Sequence, residues 1–226
     1  MNHFFCFMNT TAILLVLIPL LAVDNSVAEP FNIQLDTVVE HDDGKFLWFH
    51  PRTAAVPEAD KEGVPLVVMT LQKHLQVSDF YSGMYAMYTE DMGATWSGPV
   101  EIPELAWRDG PNGTILAVCD VTPGYHPPTG KVLAIGAQLY YRPNGQLLEG
   151  IERSDQTAYS IFDPEKKSWT GWKLLKMPDD PKFNFSRNAC AQWLVEPDGS
   201  LLVPLYFGKN AKEDYSVTVA RCSFDG

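Results

Sequence analysis

The sequence has little cysteine and little positive charge. It contains four cysteines in 226 residues, and its formal net charge is −11. The cysteines form no Cys-x-x-Cys pair and no cluster with histidine, so we predict no metal site and no other cofactor. The acidic balance argues against nucleic acid or an anionic membrane surface as a partner, because both require basic patches. An anionic small substrate stays open, since a pocket can be locally basic within an acidic protein.

The sequence also lacks long apolar runs, apart from residues 12–23 near its N-terminus. This run is short for a membrane-spanning helix, and residues 26–28 (SVA) follow it as a small-x-small cleavage site. The preceding segment departs from an ordinary signal because it has no Lys or Arg. We predict a signal peptide over residues 1–28 and export to the periplasm, the cell surface or the medium. A retained N-terminal anchor is the alternative, and no other membrane contact is expected.

Three cysteines follow the predicted signal peptide: Cys119, Cys190 and Cys222. Export permits disulfides, but an odd number leaves at least one thiol without a partner in this chain. We expect buried free cysteines, which behave as small apolar side chains.

Helical periodicity is absent as well: no stretch shows a 3.6-residue apolar period over ten or more residues. Instead, short runs rich in β-branched and aromatic residues alternate with turns of Gly, Pro, Asn and Asp. These runs predict strands over 64–71, 82–89, 131–141, 156–162, 200–207 and 215–224. The chain beyond the signal peptide is therefore predicted to be all-β.

A hairpin motif recurs along the chain. TEDMGATW at 89–96 matches S/T-x-D-x-G-x-T-W at every defined position, and FDPEKKSWTGW at 162–172 is a weaker copy. A third partial copy begins at residue 223. Turns that contain glycine alternate with these copies and precede three further strands. The two series together predict about three blades of a β-propeller.

The motif itself predicts a structural clasp rather than a catalytic loop. We expect Asp91 to accept hydrogen bonds from backbone N–H groups of its own turn. Gly93 is expected to adopt a backbone conformation that is costly for other residues. Trp96, which follows Thr95, should cover the base of the hairpin with its apolar face.

The signal peptide, the hairpin motif with its copies and the segment DGSLLVPLYF together resemble bacterial exo-sialidases (neuraminidases), which are Asp-box, or BNR-repeat, β-propellers. The resemblance covers residues 46–226. It implies about three N-terminal blades of a six-bladed propeller, as a domain over 29–226 that is incomplete at its C-terminus. Family enzymes release terminal sialic acid with an Asp acid/base, a Tyr nucleophile assisted by Glu, and three arginines that bind the sugar carboxylate. The Tyr, the Glu and the remaining arginines lie in later blades, so activity of this chain alone is left open.

The resemblance assigns roles to residues of the first predicted blade. Arg52, in FLWFHPRTAAVP, stands at the place of the first carboxylate-binding arginine. Lys73 stands in place of a second arginine, and Asp79 falls at the position of the catalytic acid/base. A lysine is a point charge without the planar fork of arginine, so carboxylate recognition would be looser. His74, beside Lys73, is a candidate donor to a sugar hydroxyl.

Two later segments, 119–136 and 184–207, resemble pocket-lining parts of the family. They supply further candidates for substrate contact: Asp120, His126, Arg187, Asn188 and Gln192. For Asp120 and His126 the alternative is that they hold a Pro- and Gly-rich loop together. Tyr81 and Tyr206 are expected to pack in the core or at the rim rather than to act as nucleophiles.

Three functions stay open at this point, each with a glycan or glycoconjugate as the partner. The first is a secreted glycoside hydrolase that releases terminal sialic acid or a related acidic sugar. The second is a propeller polysaccharide lyase, or another glycosidase, that acts on uronic-acid sugars. The third is a carbohydrate-binding propeller without catalysis. In each, Arg52 and Lys73 would contact a carboxylate.

Overall fold

The structure, a computed structural model, describes residues 33–57, 63–212 and 215–226. The predicted signal peptide lies outside the described residues. The chain divides into two compact units, Met1–Asp36 and Thr37–Gly226. In the described part of the chain, no helix has the length and apolarity needed to cross a membrane.

The first sheet of the larger unit is a four-stranded antiparallel meander. Its strands are β1 (Leu47–Val56), β2 (Leu66–His74), β3 (Tyr81–Thr89) and β4 (Val100–Glu101), and they lie in sequence order. Four antiparallel strands in sequence order are the pattern of a propeller blade.

The second sheet contains ten strands: β5 (Arg108–Asp109), β6 (Ile115–His126), β7 (Lys131–Tyr141), β8 (Gln156–Asp163), β9 (Ser168–Trp169), β10 (Lys173–Leu174), β11 (Phe185–Arg187), β12 (Leu194–Val195), β13 (Leu201–Gly208) and β14 (Ser216–Cys222). They are ordered β12-β13-β11-β8-β7-β6-β5, with β9 and β10 paired to β8 and β14 paired to β13. Strands β11 and β8 meet in parallel at a single residue pair. This junction separates a second meander from a third, so the described residues form about three blades, as the sequence predicts.

The rest of the described larger unit consists of loops and four short 3-10 helices. Their bounds are Pro103–Leu105, Pro111–Gly113, Gly150–Glu152 and Pro181–Phe183.

An apolar cluster holds the first sheet against the second. Val68 and Met84 of the first sheet belong to the same buried cluster as Val118 and Val132 of the second. Complete burial of such side chains contributes about 1.5–3 kcal/mol each relative to exposure. Strand β1 packs against β6 along this contact. The packing brings the edge strand of the first blade beside the second sheet.

The register shifts in three of the strand pairings. The pairing of β1 with β2 shifts between Phe49 and Arg52, and that of β2 with β3 shifts between Gln72 and His74. The pairing of β6 with β7 shifts between Cys119 and Thr122. Bulges re-aim side chains and occur frequently beside functional sites. The residues at these shifts are therefore candidates for a functional site.

The turn at 89–96 is tied together by its own aspartate. The Asp91 carboxylate accepts hydrogen bonds from the Thr95 N–H at 2.9 Å, from the Thr95 hydroxyl at 2.6 Å and from the Thr89 hydroxyl at 2.7 Å. These bonds, led by that of the Thr95 hydroxyl, lower the pKa of Asp91 to about 2. Gly93 has φ +89°, and Trp96 packs on the buried cluster formed by Met69, Leu71 and Met87. The turn engages its aspartate in local bonds, which is the behaviour of a clasp.

Candidate functional site

The bulges of β1 and β6 place His50 beside Asp120. His50 Nδ1 lies 3.5 Å from Asp120 Oδ1, and Asp120 is 5% exposed. Cys190, in the segment after β11, donates from Sγ to the same Oδ1 at 3.1 Å. His50, Asp120 and Cys190 have φ values of 54°, 57° and 54°, in the left-handed region. We call these three residues the His50–Asp120–Cys190 cluster.

Buried ion pairs surround the cluster on the Asp120 side. Arg187 donates to Asp120 Oδ2 at 2.8 Å and to Asp155 Oδ2 at 3.2 Å. Arg153 donates to the same Asp155 oxygen at 2.8 Å. Asp155 is 1% exposed. Two guanidinium groups and two carboxylates thus form a network that links β6 with the start of the third blade.

Charges in this network fix the ionisation of its members. Burial by itself would raise the pKa of Asp120, but the Arg187 charge and hydrogen bonds from Cys190 and Arg187 lower it below its ordinary value. Burial likewise opposes the charge of Arg187, yet neighbouring Cys119, Tyr206 and the two aspartates raise its pKa above the ordinary value. The pair is therefore ionised throughout the physiological range.

The other members of the cluster favour their neutral forms. Burial lowers the pKa of His50, and the negative charge of Asp120 opposes this only in part. Burial and then the bond to Asp120 raise the pKa of the Cys190 thiol. Around neutral pH, the site holds a neutral imidazole and a protonated thiol beside an ionised carboxylate.

An aromatic wall adjoins His50. The Tyr81 ring lies 4.8 Å from that of His50, 5.5 Å from that of His74 and 6.0 Å from that of Phe49. The Tyr81 hydroxyl donates to Asp79 Oδ1 at 3.5 Å. Burial, followed by the Asp79 and Asp120 charges, raises the pKa of Tyr81 to about 12. Phe49 is 39% exposed and Asp79 is exposed, so the wall has an open face with a carboxylate at its rim.

Arg52 completes the group. It is half-buried on β1, and Nη1 donates to the Val121 carbonyl at 3.4 Å. It also lies close enough to Cys190 to influence the pKa of the thiol. Of the residues predicted from sequence, the structure brings together Arg52, His74, Asp79, Asp120 and Arg187.

Four other predicted residues have different surroundings. The Lys73 ammonium lies 4.6 Å from the ring centroids of both Phe46 and Tyr85, because consecutive residues of a strand point to opposite faces and His74 faces Tyr81. Asn188 is fully buried and donates to the Pro204 carbonyl at 2.7 Å.

Gln192 is exposed and bonds to the carbonyl of its neighbour Trp193. His126 is buried between Thr129 and the Gly199 carbonyl, each at 2.9 Å, which fits the loop-holding alternative. None of these hydrogen bonds is made to a member of the His50–Asp120–Cys190 cluster.

Sequence reasoning did not single out His50, Cys190, Asp155 or Arg153 for the site, and it assigned Tyr81 to packing. Cys190 and Asp120 are 70 residues apart in the chain, and no local motif joins them. His50 precedes a proline, and a residue in that position is ordinarily extended, so its left-handed conformation has no sequence signal. These residues come together because distant segments of the chain pack against one another in the folded protein.

The two sheets define an all-β fold of about three propeller blades. Among solved structures, the chain is similar to the Hadza microbial sialidase Hz136, with a TM-score of 0.54 and 18% sequence identity. The match covers 72% of this chain and 33% of that chain, so the chain spans about a third of the length of that sialidase. No family model matches the sequence, and no curated protein matches it. At this identity, the likeness shows the fold.

Proposed function

We propose that the protein is a sialidase-type glycoside hydrolase that acts on glycans ending in sialic acid or a related acidic sugar. The observation that carries the proposal is the gathering of Arg52, Asp79 and His74 around His50, where each lies close enough to influence the pKa of the imidazole. A cation with a planar fork, a carboxylate at the rim and an aromatic wall are the groups that an acidic sugar requires. The sialidase-like fold supports the proposal.

In this proposal Arg52 binds the sugar carboxylate. Its guanidinium is half-buried, and its bond to the Val121 carbonyl is long at 3.4 Å, so the fork has donors to offer. Arg187 is already engaged by Asp120 and Asp155, and it positions Asp120 rather than the substrate. Lys73 is held by aromatic rings, which favours Arg52 as the ligand of the carboxylate.

Asp79 acts as the general acid in this proposal. Its carboxyl O–H transfers the proton to the glycosidic oxygen as the bond from that oxygen to the anomeric carbon breaks. The electron pair of the broken bond stays on the leaving oxygen. A water molecule then adds to the anomeric carbon and gives a proton back to the Asp79 carboxylate. The exposed position of Asp79 at the rim gives it access to that oxygen. The exposed Phe49 and the neighbouring Tyr81 would pack against the sugar ring.

A fluorogenic sialoside tests the proposal with the intact protein. Asp79→Asn should lower kcat by about 10²–10⁴-fold, the usual contribution of a general acid. Arg52→Leu should mainly raise KM, and Arg142→Leu serves as its control because Arg142 is exposed and pairs only with Glu152 among its charged neighbours in the described structure. Absence of turnover by the wild type would contradict the hydrolase, and full activity of Asp79→Asn would contradict the acid role of Asp79.

Glycan binding without catalysis is the second candidate, favoured by the open aromatic wall at Phe49 and Tyr81. Calorimetric titration with sialyllactose separates the two functions. If the protein only binds glycans, the wild type would show no turnover. Asp79→Asn would retain the affinity for sialyllactose, and Arg52→Leu would lose it. Binding of uronic-acid oligosaccharides in preference to sialyllactose would redirect the assignment to that class of sugar.

A further inference from the structure

We propose that the His50–Asp120–Cys190 cluster is a binding site for a divalent transition metal of the zinc class. The donor atoms are His50 Nδ1, Asp120 Oδ1 and Cys190 Sγ, and they all lie within 4.8 Å of one another. The inference goes beyond the glycan function and does not depend on it. The site has no local sequence motif, because each donor residue comes from a different strand or segment.

Two of the three separations suit a tetrahedral metal, and the third, between His50 Nδ1 and Cys190 Sγ, is within 4.8 Å. Zinc binds imidazole nitrogen at about 2.0–2.1 Å and thiolate sulfur at about 2.3 Å, so neighbouring ligand atoms lie roughly 3.3–3.6 Å apart. Asp120 Oδ1 is 3.5 Å from His50 Nδ1 and 3.1 Å from Cys190 Sγ. A metal among them would require shifts of a few tenths of an ångström along these two edges.

The donors are oriented before any metal arrives. His50 and Asp120 sit in bulges, which aim their side chains out of the regular alternation of the strands. Asp120 Oδ2 is held by Arg187 at 2.8 Å, which leaves Oδ1 directed at the other two donors. An outer hydrogen bond of this kind is usual for a carboxylate that binds a metal.

His50 Nδ1 supplies an independent observation. This atom is buried and has no hydrogen-bond partner among the described residues, although Asp120 is near. An unsatisfied buried nitrogen is costly, and most such atoms find a partner. A metal ion would satisfy the lone pair of the neutral imidazole.

The chemistry of the donors selects the ion. A thiolate, an imidazole and a carboxylate favour zinc and its neighbours over calcium or magnesium, which take oxygen ligands. The thiolate would supply one negative charge to the ion, and the Asp120 carboxylate would share its charge between the ion and Arg187. The Cys190 S–H bond breaks, sulfur binds the metal through the freed electron pair, and one proton passes to solvent. Three protein ligands leave a fourth position, on a site that Arg52 borders.

Zinc chloride and cobalt chloride are the probes, with the intact protein and no glycan. Calorimetry should show one zinc bound per chain with release of a proton. Cobalt should produce the near-ultraviolet charge-transfer band of a thiolate ligand. Cys190→Ser should abolish this band, and Cys190→Ser and His50→Gln should each weaken zinc binding by more than about 100-fold, beyond the loss that outer-shell changes cause.

Cys222→Ser is the matched control, since Cys222 lies on β14 and its sulfur bonds to the Ala220 carbonyl. It should bind zinc as the wild type does. Zinc binding by Cys190→Ser equal to that of the wild type would overturn the site, as would calcium binding tighter than zinc binding. Should a variant fail to fold, the wild-type cobalt spectrum decides, because absence of the thiolate band contradicts the proposal. Sialoside hydrolysis enters none of these measurements, so the two proposals fail separately.

Discussion

Arg187 donates a 2.8 Å hydrogen bond to Asp120 across 67 residues of sequence, and both side chains are largely buried. The bond runs from β11, at the start of the third blade, to the bulge of β6 in the second. It fixes the carboxylate that His50 and Cys190 face. Its loss therefore bears on the stability of the fold as well as on the site.

Arg187→Met should lower the free energy of unfolding by about 3–5 kcal/mol, because it leaves Asp120 buried without its cation and Asp155 with Arg153 alone. Arg221→Met is the control, since Arg221 is 59% exposed and its ion pairs with Glu196 and Asp198 should contribute at most about 1 kcal/mol. Urea denaturation measures both. Equal losses in the two variants would contradict the importance of the buried network.

Asp91 should make stability depend on pH in the acid range. Its folded pKa of about 2 lies below the ordinary 3.8, so its stabilisation is complete above pH 3.8 and is lost as the pH falls through about 2. Asp91→Asn should therefore be less stable than the wild type at neutral pH, and the difference should shrink towards pH 2. Thermal unfolding at several pH values measures this difference. Asp109→Asn, an exposed change in β5, should show no such convergence.

Substitution of Gly136 by alanine should destabilise the fold. A Cβ at this position would lie 2.6 Å from the Cys119 carbonyl oxygen and 2.9 Å from Val121 Cα, which are backbone atoms flanking the Asp120 bulge. Gly136→Ala should cost about 1–3 kcal/mol through overpacking and should displace Asp120. The control is Gly98→Ala, where nothing lies within 4 Å of the added Cβ. A Gly136→Ala protein as stable as Gly98→Ala would refute the close approach.

Lys73→Met tests whether Lys73 serves the fold or the substrate. Its ammonium lies among the rings of Phe46, Trp48 and Tyr85, and such contacts contribute about 0.5–2 kcal/mol. We expect a loss of stability of this size with an unchanged KM for the sialoside. Lys182→Met removes an exposed contact with Phe183 and an exposed ion pair with Asp180, so it should leave KM unchanged and lower stability by at most about 1 kcal/mol. A KM raised in Lys73→Met but not in Lys182→Met would indicate that Lys73 contacts the substrate.

The sequence predicted the class of fold because alternation and turn residues are local signals. The predicted strands at 131–141 and 156–162 correspond closely to β7 and β8, whose register follows from their apolar faces. Strand β6 is absent from the predicted strands, since TPGYHPP at its end has the composition of a loop, yet it is paired with β7 as far as His126. Composition describes a residue's preference, whereas pairing with a neighbouring strand decides its conformation.

The resemblance named some residues of the candidate site in advance, and their roles stay predictions. Arg52 and Asp79 followed from the resemblance, and the structure places both near His50. Lys73 and His74 are adjacent in sequence but have different neighbours, because strand alternation separates them. The contact between Cys190 and Asp120 depends on how separate meanders pack, and no short-range pattern encodes it.

The backbone is strained at His50, Asp120 and Cys190, because all three have left-handed conformations. Residues other than glycine that are held in this conformation cost about 1–3 kcal/mol each, and they persist where surrounding structure enforces them. Glycine would adopt the same backbone without that cost. Cys190→Gly would thus relieve strain while it deletes a sulfur. Three of the eight non-glycine residues with positive φ among the described residues thus lie where the reactive side chains meet, and the stability of the fold is lowered at that place.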